Sequence, residues 1–214
     1  MEFWGRRVSG PGKSHQLSAS ACANGHYLLL DHACRRCVVC EAGWPVWCDQ
    51  PTTGVPLCSV PEEIEFSDAA RVLAVASAFL GASVESGAVV LAVAAKVQES
   101  ILDLLRLVHD GTVLIAIDAR NAQVKQQLAE LSSLGRADVV VSLTSGRDGV
   151  LAVQRGGTVC LADVAIEMPS VTELAQREVL VCGPRDMADA VRKIGRDVIE
   201  SVFERSSKVS LQLG

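Results

Sequence analysis

VVLAVAAKVQESILDLLRLVHDGTVLIAID, residues 89–118, sets an apolar run, a periodic segment and a second apolar run one after another. VVLAV (89–93) has the length of a strand and no polar position, which suits a strand buried on both faces. In VQESILDLLRLVH, Ile101, Leu104, Leu105 and Val108 recur at helical spacing, and Gly111 reads as the stop. TVLIAID (112–118) is apolar again. Working outward, NAQVKQQLAELSSL reads as a helix stopped by Gly135, and ADVVVS (137–142) as a third strand. TVCLA (158–162) and EVLVCG (178–183) read as further strands, with MADAVRKIGRDVIESVFE as a closing helix before KVSLQL. Apolar strands alternating with helices predict an α/β fold: a doubly wound parallel (Rossmann-like) sheet covered on both faces through right-handed crossovers.

Upstream of the sheet, Ser67 is placed to cap a helix running through DAARVLAVASAFL to Gly81, with Asp68 in its first turn. Before that helix, QPTTGVPLCSVP supplies three prolines and a glycine, and the composition changes there. The chain is expected to divide into residues 1–60 and residues 61–214. In the first part, CRRCVVCEAGWPVWC (34–48) holds Cys34, Cys37, Cys40 and Cys48 at gaps of two, two and seven. Four thiolates so spaced can close around one Zn²⁺ as a tetrahedral site, leaving no coordination position for water or substrate. Such a site is structural. Cysteines that cluster without metal are the bland alternative, and the spacing weighs against it. Arg35 and Arg36 would offset the excess thiolate charge, while Trp44 and Trp47 read as loop packing.

With 214 residues, 49% hydrophobic and 21% charged, the composition is that of a globular chain. A net charge of −5 argues against a nucleic-acid partner, which requires a clustered basic face, and the arginines are scattered along the sequence. The most apolar stretch, 69–95, is interrupted by Arg71 and Glu85, so no membrane span is expected, and no charged start precedes an apolar leader. A cytoplasmic location follows. Secreted disulfide scaffolds are short and dense in cysteine throughout, whereas here Cys22, Cys58, Cys160 and Cys182 are scattered away from the bunched four.

The order of parts resembles the medium-chain dehydrogenase/reductase family, the zinc alcohol dehydrogenases in particular. MEFWGRRVSGPG (1–12) is similar to the segment opening on that family's GHE motif, NGHYLLLDHA (24–33) to its GDRV strand, and CRRCVVCEAGWPVWC to its structural zinc loop. PEEIEFSDAARVL resembles the linker and helix leading into the cofactor domain, and ADVVVS and GGTVCLA its later strands. The resemblance implies that residues 1–60 are a truncated remnant of a GroES-like catalytic domain carrying the zinc loop. It also implies a homodimer formed through the Val179–Cys182 strand, since the family's last cofactor-sheet strand pairs with its own copy. A bare apolar edge would invite aggregation, which points the same way.

Departures from the family pattern decide the functional expectation. The family holds its catalytic zinc by a Cys near the amino terminus, the His of GHE and a later Cys, Asp or Glu, with an open position for the alcohol. Here Met1 falls where that His belongs, the chain is expected to lack the first ligand, and AARVLAVAS around Leu73 offers no third one. Glu2 remains alone. His15, Cys22, His26 and His32 fit no common zinc spacing. The dinucleotide turn departs too: Ala94, Lys96 and Glu99 stand at the three glycine positions of GxGxxG, bringing bulk and a carboxylate where a diphosphate would rest on backbone. Asp118 keeps the place of the ribose-binding acid, or it simply opens the next turn or caps the following helix.

The expected cofactor set is therefore structural zinc and no NAD(P). The crevice beyond the carboxyl ends of the strands, with Lys96, Glu99, Asp118, Arg120 and LTSGRD (143–148), is the candidate ligand site. Lys96 with Glu99, or Asp118 with Arg120, would form acid/base pairs there, exposed ion pairs being the bland alternative. Three readings follow: a dehydrogenase-derived protein repurposed for non-redox small-molecule binding or an unrelated reaction, an oxidoreductase with an unconventional nicotinamide pose, and a dimeric scaffold for a partner enzyme. Any retained catalysis is expected to be non-redox.

Overall fold

The computed structural model describes residues 16–22, 25–31, 36–41, 56–94, 99–118, 121–162, 170–184 and 187–213. They form two compact units, residues 1–73 with 185–214, and residues 74–184.

The second unit is built on a five-stranded parallel sheet. Its strands are β4 (Val90–Val93), β5 (Val113–Ala116), β6 (Ala137–Ser142), β7 (Val153–Leu161) and β8 (Leu180–Cys182), in the order β5-β4-β6-β7-β8. All neighbouring pairs are parallel. β4 is flanked on both sides and every residue of it is buried, which is why its sequence has no polar position. The helices between strands are α3 (Glu99–Val108), α4 (Ala122–Leu131), α5 (Gly146–Ala152) and α6 (Val171–Arg177). The path runs outward from β4 to β5 and then back past β4 to β6, so right-handed crossovers put α3 on one face and α4 on the other. This is the α/β, Rossmann-like architecture expected from the apolar runs.

Several local expectations are corrected. α3 ends at Val108, shortly before Gly111, whose own place is fixed by crowding, since an added Cβ would run into the Ala88 carbonyl and the His109 ring. The α4 cap is Asn121, whose Oδ1 accepts the Gln123 N–H at 2.8 Å, and Asp118 opens the preceding turn through its carbonyl. LTSGRD (143–148) is only half loop, because Ser145 caps α5, which starts at Gly146. Gly149 lets α5 lie close on β7, where a Cβ would sit 2.8 Å from Val159 Cγ1. β7 begins five residues before TVCLA, and α6, opened by the Ser170/Glu173 capping box, had no counterpart in the sequence reading.

In the first unit, β1 (Gln16–Cys22), β2 (Gly25–Asp31) and β3 (Pro56–Val60) form an antiparallel sheet in that order, and α1 (Val38–Glu41) lies between β2 and β3 in sequence. The closing segment is two helices, α7 (Met187–Ile194) and α8 (Arg196–Leu213), separated by Gly195 at φ +97°, a conformation that favours glycine. α8 covers the edge of β3: Arg196 donates from Nε to the Leu57 carbonyl (2.9 Å) and from Nη2 to that of Pro56 (2.8 Å). The Ser59 N–H donates to Glu200 Oε1 at 2.7 Å. Side chains thus take the edge groups that would otherwise be open to another strand.

α2 (Phe66–Gly81) starts one residue before the expected cap. Glu65 opens it by accepting the Asp68 and Ala69 N–H groups, and the Ser67 hydroxyl donates to the Glu65 carboxylate. Ala69, Val72, Leu73, Val75, Ala76 and Ala78 are all buried, so α2 is apolar nearly all round. Among the described residues, no helix is long and apolar enough to cross a membrane.

Candidate functional site

In an open parallel sheet the ligand crevice lies at the carboxyl ends of the strands where strand order reverses, here between β4 and β6. Ala94 follows β4 directly; it is 5% exposed and its N–H donates to the Ala116 carbonyl at 3.0 Å, continuing the ladder beyond the strand. Its methyl group therefore occupies the position where the resemblance places the first glycine. Glu99 is the first residue of α3 and is exposed. A carboxylate there stabilises the helix through its dipole, and it puts negative charge on the helix end that would otherwise attract a phosphate.

The topology brings Glu99 and Asp118 to the same end of the sheet, on neighbouring β4 and β5 connections. Both are exposed. Lys96 and Arg120 lie outside the described residues, so one member of each expected acid/base pair is undescribed. Across β4, the loop after β6 is held by its serines. Buried Ser142 donates its hydroxyl to the Ser145 carbonyl at 2.7 Å and accepts the Ser145 N–H at 3.3 Å, and Ser145 Oγ accepts the Asp148 N–H. Both hydroxyls are engaged in building the turn. Arg147 points to Glu173, 3.5 Å away, as an exposed ion pair.

Of the expected zinc ligands, Cys34 and Cys48 lie outside the described residues, Cys37 is half-buried just before α1, and the Cys40 side chain is likewise undescribed. The Cys37 carbonyl accepts the Glu41 N–H at 2.9 Å, which fixes the backbone of that half of the loop as a helical turn. Among the described residues, no group of three or more His, Cys, Asp and Glu is placed to hold a metal. His15, His32 and the Cys22 side chain also fall outside, while His26 sits on β2 with Nε2 buried and no hydrogen-bond partner among the described residues. Burial holds its pKa below the ordinary value, so the ring is neutral near pH 7.

Two thiols away from the loop, Cys58 and Cys160, are buried and disfavoured as thiolates. Burial first, and the Glu200 carboxylate second, push Cys58 up to about 12, with Arg196 partly opposing. Burial pushes Cys160 up further, aided by Cys182, its register partner across β7 and β8. A thiol so disfavoured as thiolate attacks no substrate at neutral pH.

No protein-family model matches the chain, and no curated protein matches it in sequence. Solved structures do match. The alcohol dehydrogenase TADH from Thermus sp. ATN1 aligns with a TM-score of 0.52 at 14% identity, over 86% of this chain and 69% of that one. An NAD-dependent alcohol dehydrogenase aligns at 0.47 and 16%, over 88% and 72%. A zinc-binding dehydrogenase from Sinorhizobium meliloti 1021 aligns at 0.46 and 17%, over 91% and 69%. At these identities the likeness speaks of fold alone, and the first structure carries it. The chain has a fold similar to that of the alcohol dehydrogenase TADH.

Proposed function

We propose that the chain is an alcohol-dehydrogenase-like protein that does not transfer hydride and instead binds a small molecule, or acts on one, without redox chemistry. The turn after β4 carries this reading: the buried Ala94 methyl and the Glu99 carboxylate at the start of α3 stand where a dinucleotide needs bare backbone and a positive helix end. These residues do not suit NAD(P), and no step is assigned to it. The region around Leu73 supports the same conclusion, because Val72, Leu73, Ala74 and Val75 are buried apolar side chains where the resemblance calls for a zinc ligand. The test is an assay with NAD⁺ or NADP⁺ and a panel of short and aromatic alcohols. No nicotinamide reduction above the blank is expected. Turnover that saturates with cofactor would restore the oxidoreductase reading.

In this reading Cys34, Cys37, Cys40 and Cys48 hold one structural zinc, the chemistry of four thiolates being that of a closed site. Metal analysis of protein purified without chelator should give one zinc per chain, lost in Cys37→Ser. Zinc-free protein of unchanged stability would remove that part of the proposal. A homodimer through Val179–Cys182 is the second element. Among the described residues β8 is an edge strand, and Leu180 on it is 56% exposed, an apolar side chain at that edge. Sedimentation of a monomer at micromolar concentration would contradict it.

A further inference from the structure

We infer that a cavity at the amino-terminal end of the parallel sheet, framed by Arg136, Arg155 and Arg177, binds a small phosphate monoester. The cavity has a volume of about 270 Å³ and is completed by Leu134 and Gln176. It lies at the opposite end of the sheet from the crevice discussed above: Leu134 and Arg136 precede β6, Arg155 is near the start of β7, and Gln176 and Arg177 close α6.

Helix capping accounts for part of this cluster and leaves the rest unexplained. Arg136 donates through Nη1 to the carbonyls of Leu151 (2.7 Å) and Val153 (3.4 Å), and Arg177 through Nη1 to that of Val150 (3.2 Å), all at the carboxyl end of α5. These contacts use one nitrogen of each guanidinium, which carries five N–H donors in a fixed fork. They also pin both side chains in place, so little ordering remains to be done when a ligand arrives. Capping of α5 gives no role to Arg155. It comes from a different strand, lines the same cavity, and meets Glu178 at 2.6 Å.

Charge then selects the ligand. Three guanidiniums line the cavity, and one of them, Arg155, is in contact with a carboxylate, that of Glu178. Glu173 makes its contact pair with Arg147 and reaches Arg177 only as a longer-range field. A partial helix dipole cannot offset the remaining charge, and a phosphate monoester, carrying about −1.5 to −2 at pH 7 with several acceptor oxygens, matches it. Size and wall chemistry agree. The volume sits just under the roughly 300 Å³ at which drug-sized sites begin, so a dinucleotide is too large. Leu134, 64% exposed, offers an apolar surface to the organic part of an ester.

The test uses the full chain, titrated with phenyl phosphate and with inorganic phosphate at constant ionic strength, followed by calorimetry and by the arginine Nε–H resonances. Saturation at or below about 1 mM is expected for phenyl phosphate, with inorganic phosphate weaker and potassium chloride without effect. Arg155→Gln should weaken binding by about tenfold or more through loss of a charged fork. Glu178→Gln should tighten it by about threefold or more, because Arg155 is released from a competing carboxylate. Both positions are exposed, so neither change threatens the fold. A response reproduced by chloride, the absence of saturation below about 10 mM, or equal affinities in wild type and both variants would overturn the assignment. The result is independent of whether nicotinamide binds.

Discussion

Glu200→Ala tests how the edge of the small antiparallel sheet is protected. The Glu200 carboxylate accepts the part-buried Ser59 N–H at 2.7 Å, and this contact spans from α8 to β3. Removing the acceptor leaves a backbone donor without a protein partner and breaks a charge-assisted bond, effects that each fall at about 1–3 kcal/mol. Because Ser59 is only partly buried, water recovers some of this, and a loss of about 1–2 kcal/mol is expected. For a chain of this size each kcal/mol moves Tm by about 2–4 °C, so the variant should melt about 2–8 °C lower. Glu200→Gln keeps an acceptor oxygen and should lose less than about half as much. Calorimetry and urea titration of the three proteins measure both quantities. A shift below about 1 °C for Glu200→Ala, or equal losses for Ala and Gln, would refute the reasoning that α8 side chains satisfy the β3 edge.

Gly157→Ala should cost about 1–3 kcal/mol, since its Cβ would lie 2.6 Å from the Asp138 carbonyl oxygen and 2.7 Å from Val153 Cγ2; an unchanged urea midpoint would show that β7 can move away. Stability should fall on acidification. The Ser170 hydroxyl and N–H hold Glu173 below its ordinary pKa, Arg155 does so for Glu178, and the Ser86 hydroxyl and Gly87 N–H do so for Asp110. With folded values depressed, the contribution is complete above the unfolded carboxylate values near about pH 4 and disappears as pH falls through the folded ones. Urea midpoints across that range should drop less steeply in Ser170→Ala than in wild type, and parallel curves would deny the capping box its part. Cys58 and Cys160 should resist alkylation in the native protein at pH 8 and react on unfolding, which mass spectrometry of labelled peptides reads directly; rapid native labelling would contradict their burial.

What the sequence makes legible follows from burial. β4 and β6 are strands whose side chains are nearly all buried, so VVLAV and ADVVVS announce themselves and place the parallel sheet. β7 is exposed at Arg155 and Gly156 before its apolar end, so only that end, TVCLA, stands out as a strand in the sequence. α5 is short and carries two glycines, which count against a helix locally, yet both are buried where the helix must lie tight on its neighbours. The capping signals Ser145/Asp148 and Ser170/Glu173 were available for α5 and α6. Gly195 splits what a continuous periodicity presents as one helix. The crevice candidates could be placed at one end of the sheet from strand order alone, through Glu99 and Asp118. The arginine cavity could not, because Arg136, Arg155 and Arg177 are far apart in the chain and look scattered until β6, β7 and α6 are assembled side by side.

The central claim is that the turn between β4 and α3 does not receive a dinucleotide. Calorimetric titration of the purified protein with NADH and NADPH, up to about 1 mM ligand, tests it most directly. The account predicts no heat beyond dilution for either. A saturable isotherm in that range, abolished when the nicotinamide cofactor is replaced by buffer of equal ionic strength, would contradict it.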